Sequence, residues 1–235
     1  MINQRGARWM AGLAAGALLL AGCSESASQG STAAPSTPRD QLLLTQDEFP
    51  AGARKVELPK DKLEAAAADM AGLQDTATLT PAECASITKD LGTASKTLLT
   101  DSAVSAATDG KSGVMYIEFL AGRTGDLQAI TDGNKRCGEV TVTSSVEGKQ
   151  ISTTAKVENL SAPADLKGAT AIAYLTTTVS TVGSGKPLTS VGYQGMAVLR
   201  GTTVVVRVSA IKDSLDEAAF QKVFVDAVRK VEQAA

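Results

Sequence analysis

The chain has 235 residues, 43% hydrophobic but only 3% aromatic, and 23 Lys and Arg against 25 Asp and Glu leave a formal charge of −2. It contains no histidine, which excludes Ser-His-Asp and Cys-His nucleophiles, His-ligated zinc and a His general base. No Lys/Arg cluster stands out, so nucleic acid is not an expected partner.

Arg5 and Arg8 precede an apolar stretch from Trp9 to Leu20. About a dozen residues suit a signal-peptide core and fall short of a helix crossing roughly 30 Å of hydrocarbon. The stretch ends in Leu20-Ala21-Gly22-Cys23, which resembles the lipobox of bacterial lipoproteins. Small residues fit the peptidase pocket, and the Cys23 thiol accepts the diacylglyceryl group. The competing reading is an ordinary signal peptide with an incidental cysteine. Two acyl chains, at about 0.8 kcal/mol per buried CH₂, hold firmly where one is marginal. The prediction is removal of residues 1–22, lipid attachment at Cys23, and a location on the extracytoplasmic face of the cytoplasmic membrane. Loss of Arg5 and Arg8 leaves 21 cations against 25 acids, a charge of −4. Residues 23–40, built from Ser, Ala, Gly, Thr, Pro and Gln, have little to bury and read as a disordered tether. Residues 41–235 then form a single domain, with no 18-residue apolar run.

Leu42-Leu43-Leu44-Thr45 opens that body, and Thr45 with Glu48 has capping-box spacing for a short turn that Pro50 ends. Residues 53–58 suit a short strand, and Lys60–Met70 is helical by composition. Thr80-Pro81-Ala82-Glu83 predicts a helix start, with Thr80 as N-cap and Pro81 in the first position. On that helix Cys84, Ile87, Thr88 and Leu91 share the core-facing side. Val114 to Phe119 predicts a strand with Met115, Ile117 and Phe119 on one face. A helix around Thr124–Thr131 follows, then strands over 140–146 and 149–158 joined at Glu147-Gly148. Further strands are expected over 168–181, 193–200 and 202–210, with turns at Gly183-Ser184-Gly185 and Gly201. Ser214 caps a last helix, in which Phe220, Val223, Phe224, Ala227, Val228 and Val231 follow helical spacing. Strands joined by short turns pair antiparallel. The fold class is therefore α+β: a mostly antiparallel β-sheet with helices packed on one face and a C-terminal amphipathic helix. Alternation puts Thr and Ser on the opposite face, as a wet side or as the lining of a cleft.

After lipidation two thiols remain, Cys84 and Cys137, and an even pair in an exported chain reads as a disulfide. A metal site would need more soft ligands than the sequence has. Ser86-Ile87-Thr88-Lys89 has Ser-x-x-Lys spacing, yet no Ser-Asp-Asn or Lys-Thr-Gly element accompanies it, and Ser86 and Lys89 sit away from the Cys84 face. Gly183-Ser184-Gly185-Lys186 lacks the upstream glycine of a phosphate loop, and Pro187 blocks the following helix, so it reads as a hairpin loop. No catalytic, cofactor or metal residue is assigned.

From about Gln41 onward the chain resembles the PknH-type extracellular sensor domain of mycobacterial and related actinobacterial proteins. The residues that carry this are Leu42-Leu43-Leu44-Thr45, the Pro81-x-x-Cys84 helix, Lys135-Arg136-Cys137 running into Val140-Thr141-Val142, and the last third. There Met196-Ala197-Val198, Gly201-Thr202-Thr203 and Val204-Val205-Val206-Arg207-Val208 precede the terminal helix. That family commonly has a second disulfide between the last two strands, at positions near Gln194 and Ile211, where this chain has no cysteine. The resemblance implies a stand-alone binding module with an open cleft and no kinase domain. The expected function is a non-enzymatic, sensor-like lipoprotein without cofactors, which meets an unknown envelope ligand or protein. A carrier of lipid or hydrophobic ligand and a structural envelope protein are the alternatives. A carboxylate-based hydrolase ranks last.

Overall fold

The computed structural model describes residues 33–59, 77–146, 148–211 and 214–235. The leader, Cys23, most of the tether, the helix expected over Lys60–Met70, and Glu147 lie outside these residues. In chain order the elements are α1 (Arg39–Leu42), a 3-10 turn (Gln46–Glu48), β1 (Ala53–Val56), β2 (Thr78–Thr80), α2 (Cys84–Thr100), β3 (Ser102–Asp109) and β4 (Val114–Ala121). There follow α3 (Leu127–Arg136), β5 (Glu139–Val146), β6 (Lys149–Leu160), β7 (Thr170–Val182), β8 (Leu188–Leu199), β9 (Thr202–Ala210) and α4 (Glu217–Glu232).

The strands make one sheet in the order β1-β3-β4-β9-β8-β7-β6-β5-β2, every neighbouring pair antiparallel. Short turns close the hairpins. Between β8 and β9 the chain reverses through Arg200 and Gly201, at φ 48° and 70°, a region open to glycine and costly for most side chains. β9 then inserts between β4 and β8, so the centre of the sheet joins strands distant in sequence.

α4 returns over β8 and β9 with Phe220, Val223, Phe224, Ala227, Val228 and Val231 all buried. Full burial of a Val or Phe side chain contributes about 1.5–3 kcal/mol relative to exposure. Phe220 stacks on Tyr193 with ring centroids 5.2 Å apart. Gly195 makes room for Phe224, because a Cβ there would lie 2.5 Å from the ring. The N-cap of α4 is Asp216, whose carboxylate accepts from Ala218 and Ala219, and not Ser214. At the other end Arg200 Nη1 donates to the C-terminal carbonyls of Val231 (3.1 Å) and Ala234 (2.5 Å).

The antiparallel sheet, its helices and the amphipathic C-terminal helix follow the sequence expectation, while the helices divide between two sides. α2 and α3 pack together where Gly133 leaves space for Ile87 and Leu91. Asn134 of α3 hydrogen bonds Asn159 of β6, which the register puts on the face opposite α4, since Leu160 and Ala173 point toward the α4 core.

Other boundaries move. Thr80 does not cap a helix: it ends β2, opposite Thr141 of β5, and α2 starts at Cys84. α3 begins three residues later than expected, with Asp126 as its N-cap. β2 and β3 were not anticipated. The body also starts before residue 41, because Ser36 N–H donates to the Ala235 carbonyl and Arg200 Nε to that of Ala33. Residues 33–40 are therefore docked on the domain instead of belonging to a tether. Thr45 and Glu48 close on each other as expected, Thr45 N–H donating to Glu48 Oε2 at 2.6 Å.

Candidate functional site

The two sides of the sheet differ in chemistry. On the side opposite α4 the register aligns three rows across β4, β9, β8 and β7. Phe119, Val205, Met196 and Ile172 form an apolar row. Two residues along the strands come Ile117, Arg207, Gln194 and Tyr174, extended by Asn159 of β6. Met115, Ser209, Gly192 and Thr176 make the third row. With neighbouring strands about 4.8 Å apart, Arg207 and Tyr174 stand about 10 Å apart with Gln194 between them.

Asn159 is engaged, its Oδ1 accepting from Asn134 Nδ2 at 3.0 Å. The side chains of Arg207, Gln194 and Tyr174 have no hydrogen-bond or ion-pair partner among the described residues. Arg207 is exposed. It leans over Gly192, where a Cβ would lie 3.6 Å from its Nη2. Tyr174 keeps part of its surface open, yet desolvation by its surroundings pushes its phenol up to about 12, opposed only by the Arg207 charge. The phenol therefore remains a hydrogen-bond donor at neutral pH.

Every charged side chain that the register places on this face is positive: Arg54 on the edge strand β1, Lys149 at the start of β6, and Arg207 at the centre. The strand carboxylates Asp109, Glu118, Glu139 and Glu158 all fall on the α4 side. The apolar row runs under α3, which is tied to Thr203 of β9 at its start and to Asn159 of β6 near its end, and Met196 is buried there. Three donors in a row with a central cation can hold an anionic group. No nucleophile paired with a base accompanies them.

The α4 side holds a different polar group. Glu118 is fully buried, and its Oε2 accepts the Leu44 N–H at 2.7 Å. Ser105 Oγ and Lys55 Nζ donate to the Leu44 carbonyl at 3.2 and 3.0 Å. Lys230 Nζ donates to the Leu43 carbonyl and to Glu48 Oε2, at 2.7 and 2.5 Å. These bonds strap residues 42–48 across the sheet. Glu118 Oε1 has no partner among the described residues. Desolvation pushes the Glu118 carboxyl up to about 7, against the opposing pull of the Leu44 N–H and of Lys230 and Lys55. Glu118 is closed off from solvent, so it acts as a clasp within the body. A shallow hollow of about 280 Å³ between α1 and β3 is a weaker candidate, because its Arg39 and Asp101 already pair with each other at 3.2 Å.

Cys84 and Cys137 are disulfide-bonded, with Cα atoms 5.7 Å apart, joining the first turn of α2 to the end of α3 just before β5. Cys23 lies outside the described residues. Ser86 and Lys89 are exposed on α2, and Gly183 to Lys186 form the β7–β8 loop. Met115, Ile117 and Phe119 do share a face, but it is the one opposite α4 and it is only partly covered. The Thr and Ser residues are split between both sides: Thr153 meets Ser180 on the face opposite α4, and Thr141 meets Thr154 on the other. Gln194 lies opposite Arg207, whereas Ile211 follows Ala210, which is opposite Val191. The two positions of the family's second disulfide are thus offset along the strands here. The row of Arg207, Gln194 and Tyr174 was not foreseen as a site. Its one sequence signal is an arginine inside the run Val204-Val205-Val206-Arg207-Val208. Among the described residues no three metal-ligating side chains cluster, and no helix is long and apolar enough to cross a membrane.

No protein-family model and no curated protein matches the sequence. Two solved structures are similar. The extracellular domain of PknH from Mycobacterium tuberculosis aligns with 84% of this chain and 97% of its own, at 12% identity and a TM-score of 0.45. A putative uncharacterized protein from Mycobacterium smegmatis, an Rv0999 ortholog, aligns over 79% and 92%, at 12% identity and a TM-score of 0.41.

Proposed function

We propose that this chain is a lipoprotein anchored through Cys23 on the extracytoplasmic face of the membrane. Its domain works as a non-enzymatic, sensor-like binding module for an envelope ligand or partner protein. The ligand meets the sheet face opposite α4. The observation that carries this reading is the row of Arg207, Gln194 and Tyr174, three polar side chains side by side with no partner among the described residues. A polar group that is partly desolvated and unpaired costs free energy, and a ligand offering acceptors recovers it. Donors without a nucleophile or a paired acid and base suit holding more than turnover.

Arginine labelling with phenylglyoxal tests the module in place. Arg207 should be protected in intact envelopes and reactive in the purified protein. Equal reactivity in both preparations would contradict an occupied face.

A further inference from the structure

Resting on that reading, we propose that Arg207, Gln194 and Tyr174 bind the single carboxylate of a small polar ligand, a peptide end or a sugar acid. The ligand enters from the open side of the row, over Gly192, Ser209 and Thr176.

The two flanks of the row set the access to it. On one flank α3 closes over Phe119, Val205, Met196 and Ile172 and bars a hydrocarbon tail. On the other flank Met115 is exposed, and Ser209, Gly192 and Thr176 are small. Arg207 is itself exposed and leans to this open side, its Nη2 lying 3.6 Å from where a Gly192 Cβ would stand. Glycine there leaves a hollow beneath the guanidinium, one side chain deep. The other two donors also reach solvent. Among the described residues Glu118 Oε1 is the one buried side-chain polar atom without a partner, so the unpartnered Gln194 amide and Tyr174 hydroxyl are open at the surface.

The sign of the ligand follows from the face, which carries three cations and no strand carboxylate. The acids of α3 are engaged within the helix, Asp126 with the Ala129 N–H and Asp132 with the Gln128 amide. The ligand's charge follows from where the cations stand. Arg54 is on an edge strand and Lys149 at a strand end, so Arg207 alone serves the centre, and one guanidinium balances one negative charge. A phosphate dianion would keep an unbalanced charge over a partly desolvated surface. The guanidinium fork presents two parallel N–H donors, which match the two oxygens of a planar carboxylate. The Gln194 amide and the Tyr174 phenol add single donors from the adjacent strands, and a carboxylate has about four lone-pair sites to accept them. The Arg207 charge acts on the Tyr174 phenol, which stays protonated across the neutral range, so cation and donor serve one site.

The test is an NMR titration of the isotope-labelled full chain carrying Cys23→Ala, reading the Arg207 Nε–H and the Gln194 side-chain amide. N-acetyl-alanyl-alanine should shift both signals to saturation, and its C-terminal amide should leave them in place. Arg207→Gln should weaken binding about tenfold or more, read at Gln194, and Arg207→Lys should restore part of the loss. Arg207 is exposed, and a thermal melt of each variant confirms that the fold is kept. Glucuronate binding more tightly than the peptide, with the same dependence on Arg207, would support the proposal and assign the carboxylate to a sugar acid. The reverse order would assign it to a peptide end. Equal affinity for the peptide and its amide would overturn the proposal, as would an unchanged affinity in Arg207→Gln, or inorganic phosphate at pH 8 binding as tightly as either carboxylate. Absence of binding by both carboxylates overturns the carboxylate class alone. Protection of Arg207 in envelopes would then still stand for a ligand of another class.

Discussion

Glu118→Gln isolates the buried carboxyl that clasps residues 42–48. In the folded protein desolvation raises this group to about 7, against 4.5 for a free glutamate side chain. Between those values the folded state holds a proton that the unfolded state has released, so stability falls as pH rises through the window. At about 1.4 kcal/mol per unit, the loss is about 3 kcal/mol once the pH exceeds 7. That is a large fraction of the 5–15 kcal/mol typical of a domain. Asp47, Glu48 and Asp109 are displaced the opposite way, to below the window. Histidine is absent. The Thr45 hydroxyl holds Asp47 below its ordinary value, and the Ser112 hydroxyl does the same for Asp109. Partial burial raises Glu48, but Lys230 and Thr45 outweigh it and hold it low as well. Glutamine keeps an acceptor for the Leu44 N–H and carries no charge to desolvate. Urea unfolding from pH 5 to pH 8 should therefore show wild type losing stability toward pH 8, Glu118→Gln staying nearly level, and the variant the more stable above pH 7. Parallel pH profiles for the two proteins, or a wild type that gains stability over this range, would refute the burial argument.

Reduction, or the double variant Cys84→Ala/Cys137→Ala, should lower the unfolding free energy by roughly 2–4 kcal/mol, because the bond closes a loop between residues 53 positions apart. Denaturant melts with and without reductant measure this, and non-reducing peptide maps check the pairing. Gly195→Ala should cost about 1–3 kcal/mol, since its Cβ would press on the fully buried Phe224 ring at 2.5 Å; urea melts compare it with wild type. Cys23→Ala should move the protein from the membrane pellet to the soluble fraction, and retention in the pellet would exclude the lipid as the anchor.

The sequence shows most clearly the structure that is local. The hairpins of the second half follow from their turn glycines, and α4 from apolar positions at helical spacing, all six of which are buried. The misses depend on distant partners. β3 reads Ser-Ala-Val-Ser-Ala-Ala-Thr-Asp, with almost no alternation, and is a strand because β1 and β4 pair on either side. Thr80 looks like a helix cap only until β5, some sixty residues on, draws it into a ladder. In β4 the alternation separates Met115, Ile117 and Phe119 from Val114, Tyr116, Glu118 and Leu120, but it cannot say which set lies under a helix. The charge on Glu118 argues for the wrong answer. The binding row is the extreme case. Ile117, Tyr174, Gln194 and Arg207 come from four strands, and only their register sets them in line.

Mass spectrometry of small molecules extracted from the native, envelope-derived protein addresses the binding face most directly, with Gly192→Val in parallel. Gly192 lies beside Arg207, and a Cβ there meets Ser209 at 3.4 Å, so valine fills the face while suiting a strand. A defined ligand recovered from wild type and lost from the equally stable variant is the expected result. No ligand from either protein, or the same ligand in equal amount from both, would contradict binding on this face.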